Sequence, residues 1–305
     1  MPKILLFGKG GQVGWELQRS LALLGEVVAL DFDSLDFCGD FTNLAGLAAT
    51  VEAIRPDVIV NAGAHTAVDK AESEVALVRT INALAPAALA QAAKRVGAWM
   101  VHYSTDYVFD GSGQKPWHET DIPSPLSVYG RTKVESEQLI QSSGCKHLIF
   151  RTSWVYAARG GNFAKTMLKL AQEREQLKVI NDQIGAPTGA ELLADATAQV
   201  LQIVCAQPDK SLEYSGIYHL VAAGSTNWFD YANHVINYAK KTKPGLNIIA
   251  RSVEPVPSSA FQTAAKRPLN SRLDTRKISE TFGLTMPDWT LGVNRMLTEY
   301  LDNQV

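Results

Sequence analysis

Cysteine is scarce in this chain. Cys38, Cys145 and Cys205 are odd in number and far apart in 305 residues, which argues against a disulfide framework and against a thiolate zinc site. Reduced thiols are expected, and with them a cytoplasmic location. The six histidines fall at no metal-ligand spacing. Apolar runs fall well short of the roughly 20 residues that a bilayer-crossing helix needs. A glycine turn begins at Gly8, directly behind the first apolar run, so no secretory leader is expected. Neither sign of charge is in excess: 29 Lys and Arg against 31 Asp and Glu leave a net charge of −2. The basic residues are scattered, so no nucleic-acid partner is expected. Internal repeats and low-complexity tracts are missing too. What remains is 46% apolar and 20% charged, the balance of a soluble globular enzyme in a chain long enough for two lobes.

The first of those lobes is the more legible. Ile4 to Phe7 reads as a buried parallel strand. It runs into Gly8-Lys9-Gly10-Gly11-Gln12-Val13-Gly14, after which Leu17, Leu21 and Leu24 recur at helical spacing. A strand, a glycine-rich turn and a helix together make a pyrophosphate cradle, with Gly8, Gly11, Gln12, Val13 and Gly14 at the turn. A flexible hairpin is the plainer alternative. A second strand, Val27 to Leu30, ends at Asp31, near where a carboxylate would accept a ribose 2′-hydroxyl. Asp40 and Phe41 could meet the adenine. Asp31 argues for NADH and Lys9 for NADPH, so either nicotinamide cofactor is expected to be accepted.

Further strands are expected at 56–61, 98–105 and 145–151, separated by an Ala-rich helical region from Val68 to Val96 that Pro86 kinks or restarts. This alternation predicts an α/β fold, a doubly wound, Rossmann-like parallel sheet over residues 1–152. Residues 153–305, richer in proline and polar turns, are expected to form a smaller C-terminal α/β lobe that closes over a substrate. The stretch 188–205 could pack back onto the first lobe.

Tyr129 and Lys133 stand four residues apart, on one face of a helix. A free phenol is a poor acid at neutral pH, and a nearby ammonium would lower its pKa. The pair can therefore serve as a tuned general acid. Taken alone it is a weak signal.

Read together, the chain resembles the extended short-chain dehydrogenase/reductases, and within them the dTDP-4-dehydrorhamnose reductases. The carriers are Gly8-x-x-Gly11-x-x-Gly14, Asn61 to Asp69, Ser104-Thr-Asp-Tyr-Val-Phe-Asp-Gly111, Tyr129-x-x-x-Lys133, Arg151-Thr-Ser-Trp-Val-Tyr156, Asn181 to Thr188 and Arg267 to Asp274. They span essentially the whole chain. The resemblance implies reduction of the C4 ketone of dTDP-4-dehydro-L-rhamnose by NADPH or NADH, the last step towards dTDP-L-rhamnose for bacterial cell-surface polysaccharide such as O-antigen. Tyr129 would donate the proton, Thr105 would align the carbonyl, and Lys133 would hold the nicotinamide ribose and tune Tyr129.

Ala64, His65 and Thr66 would border the cofactor, while Asp106 and Trp154 would meet the nucleotide-sugar. Asp106 as a turn acceptor and Trp154 as lobe-packing core remain alternatives. Arg267 and Arg272 are candidates for the substrate diphosphate, or for salt bridges. The related dehydratases carry Asp-Glu after the threonine. Tyr107 stands in the Glu position here, which favours ketone reduction over elimination. The resemblance also implies a possible Mg²⁺ at Glu16 and Glu191 and a possible homodimer. The alternatives are a reductase or epimerase acting on another nucleotide sugar, and a non-enzymatic regulatory subunit that binds the cofactor.

Overall fold

The structure is a computed structural model that describes residues 1–302. Its centre is a six-stranded, fully parallel sheet. The strands are β1 (Lys3–Phe7), β2 (Glu26–Leu30), β3 (Val58–Asn61), β4 (Trp99–Thr105), β5 (Lys146–Thr152) and β6 (Gly216–His219). In space they run β6-β5-β4-β3-β1-β2, with β1 in register against both β2 and β3. The order reverses beside β1, which opens a crevice at the carboxyl ends of the strands.

Side chains alternate across the sheet as the pleat demands. Ile4 and Leu6 face one core with Val58, Val60, Leu148 and Phe150. Leu5 and Phe7 face the other with Ile59, Met100 and Ile149. Helices α1 (Gln12–Leu21), α2 (Leu44–Ile54), α3 (Ala85–Val96) and α4 (Val128–Ser143) connect the first five strands. Leu47, Val51, Leu89, Ala93 and Ile140 from α2, α3 and α4 close the second core. The first core is closed by Leu17 and Leu21 of α1 and by Leu193, Val200, Leu201 and Val204, which belong to a helix far along the chain.

After residue 152 come α5 (Phe163–Glu173), α6 (Ala190–Ala206), α7 (Trp228–Thr242) and α8 (Trp289–Asp302). A parallel strand pair, Gln176–Ile180 with Ser252–Val256, packs with α5, α7 and α8 around Leu168, Val179, Val235 and Leu297. On α8, Leu297 is buried but Leu291 is 62% exposed. Helix α6 and strand β6 lie after residue 152 in sequence yet pack with the first sheet: α6 lies on α1, and β6 pairs with β5.

The Ala-rich region is not one plain helix. Short helices Val68–Ala71 and Val75–Arg79 lead into a π-helical turn, Thr80–Leu84, which delivers Pro86 to the first turn of α3. There its missing N–H costs little. Residues 75–96 are long and apolar enough, by length and composition, to cross a membrane, with a mean hydropathy of 1.3. This run is longer than the apolar runs expected from the sequence. Its second part is core, with Ala85, Leu89, Ala92 and Ala93 fully buried, while Val75 and Leu77 at its start are exposed.

Candidate active site

The glycine turn is held by close packing. Gly8 sits at φ 83°, and a Cβ there would lie 2.7 Å from the Gly63 nitrogen. A Cβ on Gly14 would meet the Gly8 carbonyl oxygen at 1.9 Å. Only glycine lets α1 approach β1 this closely, and the approach aims the helix N-terminus at the crevice. Gly11 caps α1 without a side-chain bond, so first-turn N–H groups are left to a ligand.

Two cavities meet at this turn. One, of about 440 Å³, is lined by Gly8, Gly11, Asp31, Asp40, Phe41, Ala64 and His65 among others. The other, of about 460 Å³, is lined by Gly11, Gln12, Val13, Ala64, Thr66, Thr105, Asp106, Tyr129, Lys133 and Trp154, with further residues. Gly11, Ala62 and Ala64 belong to both, so the two form one trough. Thr105, Tyr129 and Lys133, assigned from sequence to catalysis, and Asp106 and Trp154, assigned to the sugar, all line the second cavity.

Within the first, the Asp31 carboxylate accepts the Gly10 N–H at 2.9 Å and caps the turn. Asp40 accepts from the N–H and hydroxyl of Thr42. Phe41 is mostly core, packed edge-on against Phe7 at 5.8 Å. His65 Nε2 lies 3.2 Å from Glu74. Its backbone is pinned by Asn82, which accepts its N–H at 2.8 Å and donates to its carbonyl at 3.0 Å. Asn82 sits in the π turn. It fixes the cavity wall, and no motif in the sequence marks it.

Tyr129 and Lys133 share the trough, and Ser127 caps their helix by accepting the Gly130 N–H at 3.1 Å. The electrostatics differ from the sequence expectation. Burial pushes the Tyr129 phenol up to about 12, partly offset by a hydrogen bond with Thr105, and nearby Asp106 adds to the rise. Lys133 does not dominate the phenol, because its amine end turns inward. Its Nζ donates to the Tyr103 carbonyl at 2.6 Å and lies 2.9 Å from His102 Nε2. Burial pushes Lys133 down to about 7, against the opposing charge of Glu137. In this geometry Tyr129 is a neutral phenol at pH 7, the form a proton donor needs.

Thr105, at the end of β4, accepts the Tyr107 N–H at 3.2 Å and donates to Asp106 Oδ1 at 3.0 Å. Burial lifts Asp106 to about 6, with bonds from Ser271 and Thr105 pulling the other way. Tyr107 packs edge-on to Tyr129 at 5.6 Å. Trp154 has a left-handed backbone, φ 49°, a strained state for a non-glycine residue. Its ring stacks on Trp228 at 3.6 Å, and a Cβ on Gly185 would lie 2.7 Å from it. Sequence reading passed over Trp228, whose place beside Trp154 depends on a contact 74 residues long.

Other candidates lie outside the trough. Arg267 pairs with Asp69 at 2.5 Å, and Arg272 Nε donates to Asn270 at 2.8 Å. Glu191 lines a separate cavity of about 260 Å³ with Asp195 and Arg295. Burial raises its carboxyl, and the Glu16 charge adds to the rise. Glu16 also lies 3.6 Å from Arg19. Among the described residues, no group of three or more His, Cys, Asp and Glu side chains is arranged to hold a metal. A loop of the second lobe reaches the glycine turn: Gln12 Nε2 donates to the Gly161 carbonyl at 3.1 Å, and the Arg159 guanidinium stacks on Trp15 at 4.1 Å.

The chain is similar to known proteins along nearly its whole length. A family model described as the RmlD substrate binding domain matches residues 2–302. A protein of Salmonella typhimurium named dTDP-4-dehydrorhamnose reductase is 59% identical over 296 residues, covering 97% of each chain. One of Shigella flexneri with the same name is 58% identical, again over 97% of each chain. The crystal structure of dTDP-4-dehydrorhamnose reductase from Bacillus anthracis, in complex with NADP, superposes with a TM-score of 0.84 at 34% identity, covering 98% of this chain and 99% of that one.

Proposed function

The chain belongs to the family of the RmlD substrate binding domain, and from that premise we propose that it reduces the C4 ketone of dTDP-4-dehydro-β-L-rhamnose to dTDP-β-L-rhamnose. This is the closing step of dTDP-L-rhamnose synthesis, which serves cell-surface polysaccharide. The observation that carries the reading is the single trough joining the glycine turn to Tyr129, Thr105 and Lys133. The shape of the turn suits a dinucleotide, since a side chain at Gly8 or Gly14 would strike backbone. When bound, NADPH or NADH supplies the hydride.

The chain's own groups do the rest. Negative charge grows on the sugar oxygen, and Tyr129 donates its phenolic proton there. Thr105, held by the Tyr107 N–H, would turn its one hydroxyl proton from Asp106 to the same oxygen and so align the carbonyl. Lys133 holds the ribose hydroxyls. Trp154, backed by Trp228, offers an aromatic face to the sugar. Tyr107, where the dehydratases carry glutamate, leaves no base for elimination. Arg267 would reach a substrate diphosphate only by leaving Asp69.

The test is turnover. Purified protein given dTDP-4-dehydro-L-rhamnose should consume the reduced nicotinamide and yield the L-rhamnose configuration at C4. Turnover confined to UDP- or GDP-linked ketosugars, or none with any, would refute the reading.

Asp31 gives a second measurement. Asp31→Ala should shift the kcat/KM ratio towards NADPH by about tenfold, the scale of one hydrogen bond to a charged group. An unchanged ratio would mean that Asp31 serves only the backbone N–H groups of Gly10 and Phe32.

Glu16 and Glu191 raise the question of a divalent cation. Mg²⁺ commonly takes one or two carboxylates and keeps several waters, and Glu16 is near enough for its charge to act on Glu191. A second copy of the chain at this face and a cytoplasmic location belong to the same proposal. The proton and hydride steps use neither glutamate.

A further inference from the structure

Behind Lys133 lies a buried hydrogen-bond chain that the reduction itself leaves unused. Asn61 ends β3, and His102 is its register partner on β4. Asn61 and His102 are each 1% exposed, as is Lys133. The Gly63 N–H donates to Asn61 Oδ1 at 3.0 Å, which fixes the orientation of the amide. Asn61 Nδ2 therefore points its hydrogens at His102 Nδ1, 3.0 Å away. That nitrogen must be bare, so His102 is neutral and carries its proton on Nε2. Burial and then the neighbouring Lys133 hold His102 well below the usual imidazole range, in agreement with this tautomer.

Nε2 faces two atoms, Lys133 Nζ at 2.9 Å and Ser136 Oγ at 3.2 Å. Ser136 spends its own proton on the Lys133 carbonyl at 2.7 Å. An ammonium has three donors and no lone pair, so a charged Lys133 would set N–H against N–H across 2.9 Å. A neutral amine would accept the bond and still donate to the Tyr103 carbonyl.

We propose that His102 is a positioning residue that donates to a neutral Lys133 amine in the ligand-free enzyme, so that binding of the dinucleotide brings a proton to Lys133. This rests on the nicotinamide-dependent reading above. The groups around Lys133 are consistent with it. On its own helix, Glu137 favours the ammonium, but Arg151 of β5 holds that carboxylate in a two-point pair at 2.9 and 2.7 Å. Tyr129 is a neutral phenol. From β4 come neutral His102, the Tyr103 carbonyl and, just beyond the strand, Asp106, itself half-titrated near pH 6. Only Asp106 is an anion without a cationic partner at pH 8, and Ser271 and Thr105 hydrogen-bond its carboxylate. A dinucleotide brings anionic phosphates and ribose acceptors into the trough, and these favour the charged amine. The proton taken up is then available to restore Tyr129 after it has given up its own.

Calorimetric titration of the whole protein with NADP⁺ in buffers of different ionisation enthalpy counts protons directly, without turnover. At pH 8 the wild type should take up close to one proton, and Kd should weaken about tenfold per pH unit above 7. Lys133→Met should abolish the uptake. His102→Gln keeps one acceptor and one donor and should retain it. His102→Leu loses the bond to the neutral amine, and its uptake should fall by at least half. Binding by the wild type without proton uptake would overturn the inference and leave the functional reading intact, as would undiminished uptake in Lys133→Met or in His102→Leu. Failure of any nicotinamide dinucleotide to bind would overturn both.

Discussion

Tyr129→Phe should bind cofactor with unchanged affinity and turn over about 10²–10⁴-fold more slowly, the usual worth of a positioned general acid. The phenol lies in the trough with Thr105 and Lys133, and phenylalanine keeps its ring against Tyr107 while removing only the proton donor. Burial lifts the phenol to about 12, so Tyr129 keeps its proton through neutral and mildly alkaline pH. A loss of wild-type kcat/KM between pH 7 and 9 is therefore expected from a group other than Tyr129, and Lys133 of the ligand-free enzyme, pushed down to about 7, is a trough group placed to cause it. Single-turnover measurements separate the chemical step from binding and product release. A variant within a few-fold of wild type in that step would remove Tyr129 from the mechanism.

Glu137→Ala should cost roughly 3–5 kcal/mol of stability, the range for removing one partner of a buried ion pair. Glu137 and Arg151 are each about 2% exposed. Their two-point pairing spans α4 and β5, and the guanidinium stacks on Phe109 at 5.0 Å. Without the carboxylate, a charge is left inside the core. Its neighbour His219 gives no relief: burial and then Arg151 hold it down to about 3, so it stays neutral.

The melting temperature should fall by roughly 5–8 °C, given the entropy of unfolding of a chain this long. Replacing both partners, Glu137→Met with Arg151→Met, should recover most of that loss, because two apolar side chains leave no stranded charge. A single variant as stable as wild type would mean that the pair is not buried in solution. Equal loss in the single and double variants would mean that volume, not charge, holds this region.

Much of the trough could be read from the sequence because its parts are local. The strand-turn-helix around Gly8 to Gly14 is contiguous, and a four-residue interval is enough to put Tyr129 and Lys133 on one helical face. Thr105 and Asn61 stand at strand ends that apolar runs announce. The parts that escaped are those that depend on distant contacts. Trp228 meets Trp154 only after the second lobe has folded. Strand β6 is four residues long and carries no alternation to mark it. The π turn that lets Asn82 grip His65 follows from how Pro86 joins a preceding helix, and composition does not reveal it. The direction of the Lys133 side chain escaped as well. Helical spacing fixes a shared face, but His102 and the Tyr103 carbonyl decide which way the amine points.

One feature of the sheet reaches beyond catalysis. Because β6 borders β5 and α6 roofs α1, residues 190–219 belong structurally to the nucleotide-holding half although they follow part of the other half in sequence. A cut at residue 152 would bare the β5 edge and the apolar undersides of Leu193, Val200 and Tyr218. Anyone grafting a foreign sugar-recognising module onto this scaffold must therefore splice in two places, leaving that intervening stretch with its host.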